Sequence, residues 1–192
     1  MSILISLTPF ILFAVASRFT AIEVSLIAAA LLSFGLILHD RFRRGGTVKV
    51  LEAGTAILFG GLAVYSWASG AQWSLVGVRL AVDAGLFAIA LGSILIRLPF
   101  TLQFAREQTP REFWDHPQFW AINYLLTGAW TATFAIQVVA DLVLIHAPAV
   151  PAWIPIAAIV GSFAGAVWFT GWYPARERRR AEAAAAAEAG KA

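Results

Sequence analysis

Six stretches of this chain are apolar enough, and nearly long enough, to dictate its solvent: Ile3–Ser17, Ala21–Leu38, Val50–Ser69, Trp73–Leu98, Phe119–His146 and Val150–Tyr173. About 20 apolar residues cross the hydrocarbon core of a bilayer as a helix. With no water there, each segment must bond its own backbone N–H and C=O groups. The pattern predicts an all-α, polytopic transmembrane helical bundle. The first run is shorter and holds Pro9, as a re-entrant or tilted segment would, so the expected count is five or six spans. Residues 1–175 form one transmembrane domain with a loop at 99–118, and residues 176–192 form a basic, Ala- and Glu-rich tail expected to continue the last helix by one or two turns. Ala14-Val15-Ala16 looks like a cleavage site, but Met1-Ser2 carry no positive charge, which argues against a signal peptide.

Composition removes several function classes. The chain is 60% hydrophobic and 13% charged, whereas soluble domains average about 45–50% apolar and about 25% charged. It has no Cys, hence no disulfide, thiolate metal site or cysteine nucleophile. His39, His116 and His146 are scattered, without the helical spacing of a metal site, so no metal and no cofactor are expected. No phosphate loop, nucleophile elbow or zinc-protease motif is present, no catalytic residue stands out, and the chain reads as a non-enzyme. His116 with Glu112 and Asp115 comes nearest to a catalytic group, but Pro117 beside it suits a turn.

Charge placement gives orientation rather than nucleic-acid binding. Of the 14 basic residues, all but Arg18 and Arg79 fall in the second connection, the fourth connection or the tail. Basic residues flanking spans stay on the cytoplasmic side, so these three segments share that side and the C-terminus is cytoplasmic. Arg178-Arg179-Arg180 adds an attraction to anionic lipid.

The loop at 99–118 has features of its own. Thr109-Pro110-Arg111-Glu112 has the spacing of a capping box with proline at the first helical position, which predicts a short interfacial helix. Phe100, Leu102 and Phe104, two apart among charged residues, predict a segment lying on the headgroup surface. Phe100, Phe104, Arg106, Arg111 and Trp114 are therefore candidates for docking a partner protein.

Ionisable groups inside spans are costly and mark function by default. Arg79 and Asp83 are one helical turn apart. Arg79 and Asp141 each lie six residues into their spans from the same side, about 9 Å deep, so Arg79 can be shared between Asp83 and Asp141. The cluster reads either as an interhelical clamp or as a proton or ion path, the latter requiring a wet cavity that reaches it. Glu52 reads as a residue positioned at the interface, and Glu23 as a rim residue. Gly161 and Gly165 form a GxxxG pair suited to helix packing within the bundle or between copies, with Gly60-Gly61, Gly85 and Gly92 as further notches.

Leu7-Thr8-Pro9-Phe10, the turn Arg41-Phe42-Arg43-Arg44, Phe59-Gly60-Gly61-Leu62, Arg97-Leu98-Pro99 and a span carrying Asn123, Trp130 and Phe134 occur in an order that resembles the intracellular septation protein A family of bacterial inner-membrane proteins, as a distant branch. The resemblance covers roughly residues 4–175. It implies a noncatalytic role in envelope maintenance and division through division or envelope-synthesis partners, and no catalytic residues. The other expectation is a small oligomeric transporter or channel using Arg79, Asp83 and Asp141.

Overall fold

A computed structural model describes residues 3–44 and 48–189. Met1, Ser2 and Lys191, which the charge argument uses, lie outside the described residues. The chain is helical: α1 (Ile3–Ser6), α2 (Thr8–Ala16), α3 (Ile22–Arg44), α4 (Val50–Ser69), α5 (Leu75–Leu95), α6 (Phe100–Arg106), α7 (Pro117–His146) and α8 (Trp153–Ala189), with one 3-10 turn at Arg111–Phe113.

Five helices are long and apolar enough to cross a membrane: Ile22–Phe42, Val50–Ser69, Leu75–Leu95, Pro117–His146 and Trp153–Ala183. The protein is a multi-pass membrane protein with five such helices among the described residues, and the first apolar run is not one of them. Leu7 separates its two pieces, and Pro9, whose ring cannot donate a backbone hydrogen bond, sits in the first turn of α2. Instead of facing lipid along its length, this pair enters the bundle. Leu7 and Phe13 are buried, and the Phe59 ring of α4 lies 5.0 Å from that of Phe10 and 5.6 Å from that of Phe13.

Around this strut, α3 packs on α2 and α4, α4 on α5, α5 on α7 and α7 on α8. One apolar cluster joins Leu7, Leu51, Leu86, Phe100, Trp130, Phe134 and Ala166, and a second joins Phe13, Leu26, Phe59, Val78 and Val82. Trp130 also donates from Nε1 to the Thr170 hydroxyl at 3.0 Å, tying α7 to α8. Ile57, Val64, Leu95 and Trp168 point outward and are more than 60% exposed, which is stable only against lipid.

Small residues set the closest approach. A Cβ on Gly85 of α5 would overlap the Leu58 side chain of α4, and one on Gly54 of α4 would come 2.8 Å from Cδ1 of Ile89. Each helix thus receives a large side chain of the other at its own glycine. Gly85→Val is expected to destabilise the fold by about 1–3 kcal/mol through overpacking, with partial recovery by Leu58→Ala; thermal midpoints of the purified variants check this. Gly60, Gly61, Gly92, Gly161 and Gly165 have no atom within 4 Å of such a Cβ, so the 161/165 pair packs nothing inside the bundle.

The loop between α5 and α7 departs from its sequence reading. Phe100 and Phe104 are four apart on a helix, hence on one face, and that face packs inward: both are about 1–2% exposed. The Ser93 hydroxyl accepts the Phe100 N–H at 3.2 Å, and the Thr101 hydroxyl donates to the Asn123 carbonyl at 2.9 Å, which satisfies groups the start of α6 would otherwise leave open. The expected capping box is one 3-10 turn with Pro110 at its N-cap and no side-chain cap. The tail runs further than one or two turns: α8 is a 37-residue helix that continues past Pro174 to Ala189. At its membrane edge Trp168 stacks on Trp172 at 5.0 Å, and Arg176 lies 5.1 Å from the Trp172 ring, an aromatic and basic girdle.

Candidate functional site

Two buried polar layers stand near opposite ends of the bundle, with α1–α2 reaching between them. The first surrounds Lys49, which is only 1% exposed. Its ammonium is bound by Asp40 of α3, by Glu107 beyond α6 at 2.8 Å and by Glu52 of α4 at 3.4 Å, and it lies 5.3 Å from the Phe104 ring. The Ser6 hydroxyl of α1 donates to Glu52 at 2.9 Å, and the Val50 N–H donates to Gln103 of α6 at 2.7 Å. Four helices are thereby fastened at one point. Lys49 is accordingly no free topology charge, and Glu52, 3% exposed, is no headgroup contact. Sequence reading missed this layer because its members come from distant places in the chain; the one available signal was a Lys and a Glu three apart at a helix start.

Burial alone would push the Lys49 ammonium down, but its hydrogen bonds to Asp40 and Glu107 outweigh that and hold it above the usual 10.5. Burial alone would push the Glu107 carboxyl up, and the bond from Lys49 outweighs that, holding it below 4.5. A depressed carboxyl stabilises the fold above its unfolded value and loses that as pH falls through the folded one. A raised amine stabilises below its unfolded value and loses that as pH rises through the folded one. The layer is therefore fully held between about pH 5 and 10, and the thermal midpoint is expected to be flat there and to fall on both sides.

The second layer contains the residues singled out from the sequence. Arg79 of α5 meets Asp141 of α7, Nη2 to Oδ1, at 3.4 Å. Asp141 is fully buried. Asp83, one turn along from Arg79, lies beside both Arg79 and Asp141. The three expected residues come together, with two acids to one guanidinium. Among the described residues no group of three or more His, Asp or Glu is placed to hold a metal ion.

Beside this layer is a cavity of about 470 Å³, within the range of small-molecule sites and half open between α2 and α8, where Ile11, Ala14, Val160 and Ala164 on its rim are exposed. Its walls include Phe10 and Ala14 of α2, Leu86 of α5, Phe134 of α7 and Phe163 and Ala164 of α8, and its polar lining comes from Ser17, Arg18, Arg79, Asp83 and Gln137. Arg18 follows the end of α2 and Leu75 begins α5, so the cavity reaches the side opposite Lys49.

The other expected site residues are dispersed. Phe100 and Phe104 cannot dock a partner, being buried in the protein's own core. Arg106 is half-buried between the rings of Trp114 and Trp120, at 5.1 and 5.4 Å, while Arg111 is exposed and stacks on Trp114 at 5.6 Å. Gly161 and Gly165 lie on the outer face of α8. No family model, no curated protein and no solved structure matches the chain.

Proposed function

We propose that this protein is a small transporter or channel of the bacterial inner membrane with a cytoplasmic C-terminus, and that the cavity beside Arg79 and Asp83 is its solute site. The observation that supports this reading is the half-open cavity, which brings Arg79 and Asp83 to the edge of a space of small-molecule size. Arg79 and Asp141 fix α5 against α7, Asp83 and Gln137 present polar atoms to the solute, and the Lys49 layer closes the cytoplasmic end. Cytoplasmic placement of that end rests on the basic residues of the second and fourth connections and the tail. The test is exchange of a mixture of labelled small solutes and ions in liposomes. At least one solute is expected to exchange faster than in protein-free liposomes, with loss of exchange in Asp83→Asn at unchanged folded protein. No exchange above that of protein-free liposomes by well-folded protein contradicts the reading.

A second reading is support of envelope maintenance and division through partner proteins, as the family resemblance implies. It is favoured by the exposed edge at Arg111–Trp114, where Phe113 is 49% exposed beside the Arg111–Trp114 stack, the aromatic and arginine chemistry of interfaces. A photoreactive residue at Phe113 is expected to capture division or peptidoglycan-synthesis proteins if this reading holds, and only lipid or the protein itself if it does not.

A further inference from the structure

We infer that Arg106 and Arg111 hold the phosphate of an anionic phospholipid at the end of the bundle that carries Lys49. The site is separate from the cavity and does not depend on the solute-site reading.

Both guanidinium groups lean on one indole. Arg106, the last residue of α6, lies 5.1 Å from the Trp114 ring and 5.4 Å from that of Trp120, and Arg111 lies 5.6 Å from Trp114. Trp114 is itself held, its Nε1 donating to the Thr109 carbonyl at 2.9 Å. A guanidinium packed on indole faces keeps its donors at its edge, and one already held in place loses little freedom when an anion binds. The Nε of Arg106 is shut in with no acceptor, which leaves its two Nη groups to bond outward. Two like charges beside one ring repel, and among the described residues no acid forms an ion pair with either. Glu107, next in the chain, is taken by Lys49 at 2.8 Å, and Glu112 and Asp115 are exposed. The pair therefore calls for an anion from outside, and a phosphate accepts from several Nη groups at once.

The level of the site selects a lipid. Trp120 lies three residues into α7 from Pro117, about 4.5 Å along the helix, so the arginines stand where the hydrocarbon begins, the level at which indole rings gather. Phe113 beside them is 49% exposed and offers apolar surface to the upper part of an acyl chain. A soluble phosphate would use the arginines alone; a phospholipid meets the arginines and the apolar edge together.

The test places a fluorophore on Gln108→Cys, an exposed neutral position in a chain with no other Cys, in the full-length protein in phosphatidylcholine liposomes. Phosphatidylglycerol or phosphatidylcholine with a nitroxide high on its acyl chain is then added as quencher. The labelled phosphatidylglycerol is expected to quench at about fivefold lower mole fraction, the attraction of one basic residue at a membrane surface, or lower still. Arg111→Gln, at an exposed position, is expected to reduce that preference, and Arg106→Gln with Arg111→Gln to abolish it. Replacing Arg178, Arg179 and Arg180 by Gln is expected to leave it; its loss there overturns the inference in favour of diffuse charge attraction. Reversal of the quenching by soluble glycerol 3-phosphate overturns it in favour of a free phosphate ligand. Equal quenching by the two lipids in folded protein overturns it outright and leaves this edge to the protein partners of the second reading.

Discussion

Lys49→Met is expected to lower stability by about 3–5 kcal/mol, the cost of removing one partner from a buried ion pair and leaving its counter-charges dry. Asp40 and Glu52 are each 3% exposed, so neither can turn to water when the ammonium is lost. The loss is larger than for a surface pair, worth about 0–1 kcal/mol, because Lys49 holds α3, α4 and the end of α6 at once. Folded, monodisperse protein after detergent extraction reports the effect. Adding Asp40→Asn and Glu52→Gln to Lys49→Met is expected to recover part of it, since the charges left uncompensated are then gone. A Lys49→Met protein as stable as the parent contradicts this account of the layer.

The Arg79–Asp141 pair is expected to respond unequally to removal of its two members. Asp141 is fully buried, whereas the Arg79 side chain is 26% exposed. Arg79→Met leaves an acid that cannot reach solvent and is expected to cost about 3–5 kcal/mol. Asp141→Asn leaves a guanidinium that can swing into the cavity, and its cost is expected to resemble that of polar contacts between membrane helices, about 0.6–1.7 kcal/mol. The triple variant Arg79→Met with Asp83→Asn and Asp141→Leu is expected to lie near the parent, because uncharged groups of similar volume replace the buried charges without leaving Asp83 unpaired. Thermal midpoints of the four proteins in one detergent decide this. Equal losses for the two single variants contradict the difference in burial.

Most of the fold was legible because the bilayer imposes a length. The span Val50–Ser69 is the same in sequence and structure, the second, fourth and fifth apolar runs shift by no more than four residues at an end, and the last, read as Val150–Tyr173, runs on to Ala183. The Arg79–Asp141 contact was legible too, since equal depth from one side places two side chains at one level. What failed depends on three-dimensional neighbours. Phe100, Leu102 and Phe104 read as a surface segment at a spacing of two, yet Phe100 and Phe104 are also four apart, and α6 uses that spacing to face the core. Lys49 read as one more basic residue at a helix end, because nothing local announces that Asp40, Glu52 and Glu107 converge on it. Gly161 and Gly165 have packing spacing and no partner in the bundle, whereas Gly54 and Gly85, without that spacing, carry the close contacts. Spacing specifies a helix face; it does not specify what that face meets.

A solute site at this place requires the cavity beside Arg79 and Asp83 to be open to water on the side opposite Lys49. The chain has no native Cys, so single cysteines at Ala14, Ala164 and the buried Ala166 can be labelled from that side with a charged, membrane-impermeant maleimide. Rapid labelling is expected at Ala14 and Ala164, both on the cavity wall, and none at Ala166, which is 5% exposed in the core. Well-folded protein that remains unlabelled at both wall positions contradicts it.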